Sequence, residues 1–252
     1  MLNAVIALTL ANALDILRRG GTLVLGAAGI VFILSLRWFS AFGLGYEVVQ
    51  LEELGVYTIG LLSAVGVLVF CLPGEDESEE AEALLLTRPV SPWVLSLGSF
   101  LGRLLPLALL SIVWTLTIFA ALLWFEIEDP QLFHYRGETS AFAEVGSLAL
   151  PVLGQLFATA ILLAFVQPFA RLRRPVLVGL ATLGIYVLGY AVAGMGGVWA
   201  VILPDLARHD LTSLLWGTGS GVSVLALAVH ACAWCAAGVA LDSISLTVKS
   251  VA

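Results

Sequence analysis

The sequence predicts an all-α membrane protein with six transmembrane helices, an N-terminal amphipathic helix and a short cytoplasmic helix between spans two and three. Its 252 residues are 60% hydrophobic and only 12% charged, with a mean hydropathy of +1.05. Soluble domains carry about 25% charged residues, so a soluble core could not bury this much apolar surface. The apolar runs are long and unbroken, which favours helices over the short alternating strands of a β-barrel. Residues 1–252 are therefore expected to form one membrane domain, without a separate soluble catalytic domain.

The first element is an amphipathic helix over residues 2–19. Thr9, Asn12, Asp15 and Arg19 fall on one arc of a helical wheel, which is typical of a helix lying in the inner membrane interface. A signal peptide is not expected, because its positive charges would precede the apolar run rather than follow it. The helix should enter the first span through Gly20-Gly21.

Six segments are long and apolar enough to cross a hydrocarbon core of about 30 Å, which takes roughly 20 helical residues. These predicted spans are 22–39, 54–72, 103–125, 146–170, 175–199 and 217–241. Their order leaves modest outer loops near 40–53 and 126–145. In the fifth span, Gly194 to Gly197 should end or bend the helix. Residues 198–216 should then form short outer helices that partly re-enter the membrane around Pro204.

The orientation follows from the basic residues, which are commoner on the cytoplasmic side of membrane proteins. With both termini cytoplasmic, the inner set is Arg18, Arg19, Arg88, Arg103, Arg171, Arg173, Arg174 and Lys249. The outer set is Arg37, Arg136 and Arg208. This asymmetry predicts a multi-pass protein of the cytoplasmic (inner) membrane. The net charge of -7 also argues against nucleic acid as a partner, since such a partner requires a basic patch.

The most unusual segment follows the second span. Residues 75–82 contain six carboxylates, and Leu84, Leu85 and Leu86 come next. Pro73-Gly74 should break the preceding helix, and Pro89 and Pro92 should bound the new one. Acids at a helix start are favourable, and an exposed apolar patch beside them usually marks a contact. A helix over 75–88 is therefore predicted at the inner face, although a merely solvated acidic loop is the alternative.

In this region the chain resembles the type-2 permeases of ABC exporters. Among them it is most similar to the permeases for multicopper-enzyme maturation and nitrous-oxide-reductase copper assembly. The resemblance rests on LLLTRPVS at 84–91 and LGSFLG at 97–102, and more loosely on LPDLARHDLTSLLWG at 203–217. Family members typically show Leu-Leu-x-x-Pro-Val-Ser-Arg followed by Gly-Lys-x-x-Gly. Here Glu79-Glu80 stand near the usual Gly-Thr, Pro92 replaces the arginine, and Ser99 replaces the lysine.

This resemblance implies a permease subunit whose coupling helix seats in a groove of a separate ATPase subunit. The ATPase-coupling residues would be Glu79, Glu80, Glu82, Leu84, Leu85, Leu86 and Arg88. The chain has no phosphate-binding G-x-x-x-x-G-K-[ST] loop, so the ATPase must be a partner and the chain itself is not expected to be an enzyme. A second permease chain, identical or paralogous, should meet this one through the first and fifth spans. No cofactor is expected, and the substrate stays open.

Arg103 and three residues of the last span allow further interpretations. Arg103 either supplies the inner-face positive charge that the family places four residues earlier, or snorkels to the lipid headgroups. His230, Cys232 and Cys235 could suggest a metal site, but on a helix His230 and Cys232 point to opposite sides, which favours small-residue packing. No metal site is therefore predicted.

Two other classes of function compete with transport. An intramembrane protease is suggested by TGSG at 218–221 with His230, although the histidine lies about 15 Å along the same helix. A non-transporting membrane scaffold is the other alternative. Gln155, Gln167, Tyr186 and Tyr190 fit helix packing, a dimer seam or a translocation path equally well.

Overall fold

A computed structural model describes residues 2–40, 46–72, 90–128, 141–195, 203–216 and 223–251. Within these ranges the chain forms seven α-helices and two short 3-10 turns. The helices are α1 (Leu2–Arg18), α2 (Gly20–Ser40), α3 (Glu47–Cys71), α4 (Pro92–Glu128), α5 (Ala141–Ala170), α6 (Pro175–Met195) and α7 (Val224–Val251). The 3-10 turns are Ala207–His209 and Thr212–Leu214. Helices α2 to α7 are each long and apolar enough to cross a membrane, which confirms the all-α, multi-pass fold.

The helices alternate in direction around a central α5. Helix α5 packs against α3, α4, α6 and α7, while α2 packs against α3 and α4. Large apolar side chains are buried in the middle and exposed on the periphery: Val176 is 73% exposed on α6 and Leu225 is 75% exposed on α7. Such an exposed apolar belt would be unfavourable in water, so it is the surface that lipid covers.

Alternation gives the bundle two different ends. One end holds the start of α2, the end of α3, the start of α4 and the α5–α6 turn. This end is called the basic end, because it carries Arg18, Arg19, Arg103 and Arg171. The opposite end holds residues 203–216, called the connector, between α6 and α7. At this second end Arg37 of α2 pairs with Glu128 of α4.

Several helices have bounds that differ from those of the predicted spans. Helix α3 starts at Glu47 rather than 54, and carries Glu52 completely buried; Ser147 of α5 donates a hydrogen bond to this carboxylate at 3.2 Å. Helix α4 starts at Pro92 rather than 103, because proline suits the first helical position, where no N–H partner is needed. Helix α7 starts at Val224, seven residues after the start of the predicted last span. Residues 196–199, at the end of the predicted fifth span, lie outside the described residues.

The N-terminal helix is confirmed, but its polar arc does not simply face water. Thr9 and Asn12 lie against α4, as the close contacts to Gly102 show. Asp15 is exposed and pairs with Arg19 at 2.6 Å. The exposed side of α1 carries instead an apolar stripe at four-residue spacing, Leu2, Ile6, Leu10 and Leu14. The helix therefore turns much of its apolar surface outward and some of its polar surface toward protein.

Helix α6 is described as far as Met195, and the rest of the predicted break at Gly194 to Gly197 lies outside the described residues. The connector then folds back into the bundle: Leu206 donates its N–H to the Gly189 carbonyl at 3.0 Å. On α5, the His209 carbonyl lies so close to Gly154 that a Cβ there would collide with it. Gly154 is eight residues into the fourth span, so the connector reaches about 12 Å inward.

Candidate functional site

The predicted ATPase-coupling residues Glu79, Glu80, Glu82, Leu84, Leu85, Leu86 and Arg88 lie outside the described residues. The structure does describe the residues on either side of their segment, called its roots: Leu72 after α3 and Ser91 before α4. Leu72 follows α3 in an extended conformation and donates its N–H to the Leu68 carbonyl at 3.1 Å. On the other side, Ser91 accepts the Val94 N–H on its side-chain oxygen at 3.4 Å, so a serine caps the start of α4. The segment thus begins after the end of α3 and leads into the capped start of α4.

Arg103 ties these two roots together. Its guanidinium Nε donates to the carbonyl of Phe70, in the last turn of α3, at 3.1 Å. A helix leaves its final carbonyls without hydrogen-bond donors inside the helix. The arginine of α4 provides a donor for one of these carbonyls. The Nη1 atom of Arg103 is buried without a hydrogen-bond partner among the described residues. The guanidinium therefore sits between α3 and α4 at the base of the segment.

Arg103 also shows how far α4 extends. It lies level with the end of α3, although it is eleven residues after Pro92. The first three turns of α4 consequently project about 16 Å beyond α3. The 37 residues of α4 span about 55 Å, well over a hydrocarbon core of about 30 Å. The acidic segment is thus attached to a helix that protrudes at the basic end.

A buried polar cluster braces this protruding part of α4. The Asp242 carboxylate of α7, with no exposed surface, accepts the Gln167 amide of α5 at 2.5 Å and the Arg171 Nε at 3.2 Å. Gln167 also donates to the Ser96 carbonyl of α4 at 3.0 Å, and Arg171 to the Ser99 hydroxyl at 3.2 Å. The cluster, called the three-helix clamp below, joins α4, α5 and α7 at one level.

Sequence reasoning identified Gln167 only as one of several packing residues and did not identify the clamp. The available signal was the four-residue spacing of Gln167 and Arg171, which places both on one helical face. Nothing in the sequence indicated that Asp242 would be their partner, 71 residues after Arg171. A buried carboxylate requires a cation and hydrogen bonds to offset its desolvation, and the fold supplies both.

Helix α1 braces the same part of α4 on another face. Gly98 and Gly102 form a G-x-x-x-G pair, which allows helices to approach closely. A Cβ on Gly98 would lie 2.8 Å from the Leu8 Cβ, and one on Gly102 would lie 2.5 Å from the Asn12 Cβ. Both contacts shift by four residues together, so α1 and the start of α4 run in the same direction. The glycines of the LGSFLG motif thus form the seat of α1.

At the opposite end, the connector is attached to α3. The Tyr57 hydroxyl lies 3.0 Å from the Thr212 hydroxyl and donates to Asp210 at 3.4 Å. The Trp216 indole donates to Glu53 at 2.9 Å. These contacts join the second span to the connector, which precedes the last span. The connector therefore covers the ends of several helices.

A histidine pair attaches the connector to α7. His209, completely buried, places its Nε2 3.0 Å from the Nδ1 of His230, and the Trp234 indole donates to the Nε2 of His230 at 3.1 Å. Burial, the nearby His230 and the Arg208 charge lower the pKa of His209 to about 4. Both nitrogens of His230 are therefore engaged, which leaves neither to activate a serine. Residues 217–222, including TGSG, lie outside the described ranges.

Three polar residues of the spans, Gln155, Tyr186 and Tyr190, face a cavity inside the helix bundle. Gln155, which is 2% exposed, lies against Gly60 of α3. The rings of Tyr186 and Tyr190 are 5.0 Å apart. Together they line a cavity of about 10 Å³, which is room for about one water molecule. This cavity is too small for a transported solute.

The described residues do not bring three or more His, Cys, Asp or Glu side chains together as a metal site. Cys232 is exposed and Cys235 half-buried on α7, while His230 is held by His209 and Trp234. The two cysteines and the histidine therefore do not converge.

No family model matches the sequence, and no curated protein matches it. The functional assignment therefore depends on the residues themselves and on the architecture that places them.

Proposed function

We propose that this chain is the membrane-spanning permease subunit of an ATP-driven exporter of the ABC type. It would couple ATP hydrolysis by a separate ATPase subunit to substrate movement, or to mechanical work, across the inner membrane. One observation carries the proposal: an acidic, leucine-rich segment joins the ends of α3 and α4, and the α4 root is braced by α1, α5 and α7. Such an arrangement can pass a displacement at the segment to most of the bundle.

Several helices meet at the α4 root of the segment. Arg103 fixes the end of α3 to α4, the three-helix clamp fixes α5 and α7 to α4, and the Gly98–Gly102 pair seats α1. Packed interiors are dense and transmit displacement rather than absorbing it. A force on the acidic segment would therefore act on five helices at once, as coupling to a moving partner requires.

The composition of the segment suits a protein partner. Six carboxylates in residues 75–82 can steer a basic surface, while Leu84, Leu85 and Leu86 can fill an apolar groove. The partner must supply the nucleotide site, because the sequence has no phosphate-binding loop. An ATPase subunit with a groove at its membrane side would satisfy both requirements.

We also propose that two permease chains, identical or paralogous, meet through α2 and α6. These helices both pack on α3, on either side of an exposed stripe of α3 formed by Leu54, Tyr57, Leu61 and Val65. The first and fifth spans thus border one continuous apolar face. A second permease chain would cover this face, and each chain would bind one ATPase below it, with both termini in the cytoplasm.

The test is co-purification of the partner ATPase with leucine variants. Leu84→Asp with Leu85→Asp should lower ATPase recovery at least tenfold, since central apolar contacts hold such complexes. Leu172→Asp is the control: Leu172 is 54% exposed in the α5–α6 turn at the same end, so a carboxylate replaces a leucine there without touching the segment. Wild-type recovery with the double leucine variant would reject the coupling role.

A further inference from the structure

The connector carries a hydrogen-bond relay that has no role in the proposed coupling. It runs from the Trp234 indole to His230 and from His230 to His209. Two of its members lie on α7 and one on the connector, so the relay holds two parts of the chain together. The ring of His209 also packs edge-on against Phe157 of α5, with ring centroids 5.9 Å apart.

The protonation of both histidines follows from the tryptophan. An indole N–H can only donate, so the Nε2 of His230 must be unprotonated and its proton must be on Nδ1. That Nδ1–H then donates to the Nε2 of His209, which leaves the proton of neutral His209 on its own Nδ1. The Nδ1 of His209 is buried without a hydrogen-bond partner among the described residues.

Protonation of either histidine disrupts this hydrogen-bond relay. A proton on the Nε2 of His230 would face the Trp234 N–H, and one on the Nε2 of His209 would face the His230 N–H. Each case places two donors about 3.0–3.1 Å apart, which is repulsive rather than bonding. The relay therefore exists only while both imidazoles are neutral.

We infer that the His209–His230–Trp234 relay is an acid-released latch, which holds the connector on α7 at neutral pH and frees it when the surrounding solution is acidified. The inference does not depend on the transport role. It assigns a conformational function to two histidines that the rest of the fold does not require to be histidine.

The histidine pair is surrounded by groups from the connector and from three helices. On the connector, Arg208 and Asp205 carry charges close enough to act on His230. Helix α5 faces His209 with Phe157 and Gly154, neither of them titratable. Helices α3 and α6 face Asp210 of the connector with Tyr57, Tyr186 and Tyr190, and Glu53 of α3 lies near Tyr57.

The direction and size of the pH effect follow from His209. Its pKa is about 4 in the latched state, against 6.5 for an ordinary histidine. The stabilisation from neutral His209 is therefore complete above pH 6.5 and is lost as the pH falls toward 4. Between pH 8 and pH 5, the latch equilibrium should shift toward the released state by about 30-fold, if released His209 titrates normally.

The test is hydrogen–deuterium exchange of the full chain in lipid nanodiscs, with rates corrected for the intrinsic pH dependence of exchange. The reporter amides are those of residues 206–210, which include the Leu206 N–H bound to α6. Their protection in the wild type should fall about 30-fold from pH 8 to pH 5, with the decline beginning near pH 6.5.

Two variants separate the latch from other causes. His209→Gln with His230→Gln should remove the pH dependence, whereas His134→Gln, which replaces the third histidine of the chain, should leave it unchanged. The inference would be overturned if amide protection in the wild type did not change with pH. A decline that begins only below about pH 4.5, where carboxylates titrate, or an equal decline in the double variant would also overturn it.

Discussion

Arg171→Ala should be one of the most destabilising substitutions in the bundle. The variant leaves Asp242 completely buried with the Gln167 amide but without a cation. Removing one partner of a buried ion pair typically costs about 3–5 kcal/mol, because the remaining charge has no compensation. The Arg171 side chain is only 18% exposed, so water does not replace it at Asp242. We expect a loss of about 3–5 kcal/mol in the free energy of unfolding.

The reverse substitution should cost less. Asp242→Asn keeps the shape and the Gln167 contact, and Arg171, at the end of α5, can turn toward water and the Ser99 hydroxyl. We expect a loss of about 1–2 kcal/mol. The double variant should be less destabilised than the sum of the two single variants, since the same interaction is removed in both.

SDS titration in mixed micelles would give the unfolding free energies, with the exposed neighbour Leu172→Ala as the control. The control should change the free energy by less than about 0.5 kcal/mol. The reasoning is refuted if Arg171→Ala costs no more than Asp242→Asn, or if the two substitutions are additive.

Three further predictions concern other parts of the bundle. Gly102→Leu should displace α1, because its Cβ meets Asn12 and the Thr9 carbonyl, and should raise the protease sensitivity of residues 2–18; Gly179→Leu, at an open position, should not. Gly154→Ala should destabilise by about 1–3 kcal/mol through overpacking, and thermal unfolding that is unchanged from the wild type would contradict the close approach of the connector. Neutralising Glu79, Glu80 and Glu82 to Gln should slow ATPase association and weaken its salt dependence, measured as association rates at low and high salt; equal salt slopes would count against electrostatic steering.

The sequence was sufficient for the fold class because span length and hydropathy are local properties. Each of the six spans could be recognised from its own residues, without knowledge of its neighbours. The α1–α2 junction at Gly20 followed from the same local reasoning.

Helices α3 and α4 start before the predicted spans, and in both cases tertiary contacts compensate polar or small residues in the added part of the helix. Residues 47–53, which lie outside the predicted second span, include Glu52 and Glu53; Ser147 donates a hydrogen bond to Glu52 and Trp216 donates one to Glu53. The first turns of α4, which lie outside the predicted third span, include Gly98 and Ser99, and α1 and Arg171 pack there. Hydropathy alone does not contain these partners.

The histidine latch was not predictable for a different reason. His209 and His230 are 21 residues apart, with the start of the last helix between them, so no helical or strand spacing relates them. They meet because the connector folds back between α5 and α6, where Gly154 and Gly189 leave space for His209 and Leu206. The glycines were visible in the sequence, but the segment that would fill their space was not.

The most direct test of the central proposal is the native mass of the complex purified from membranes through a tag on this chain. The account predicts two permease chains, identical or paralogous, and two copies of a subunit that contains a phosphate-binding loop and hydrolyses ATP. A complex with a single permease chain, or a stable assembly that contains this chain without any ATPase subunit, would contradict it.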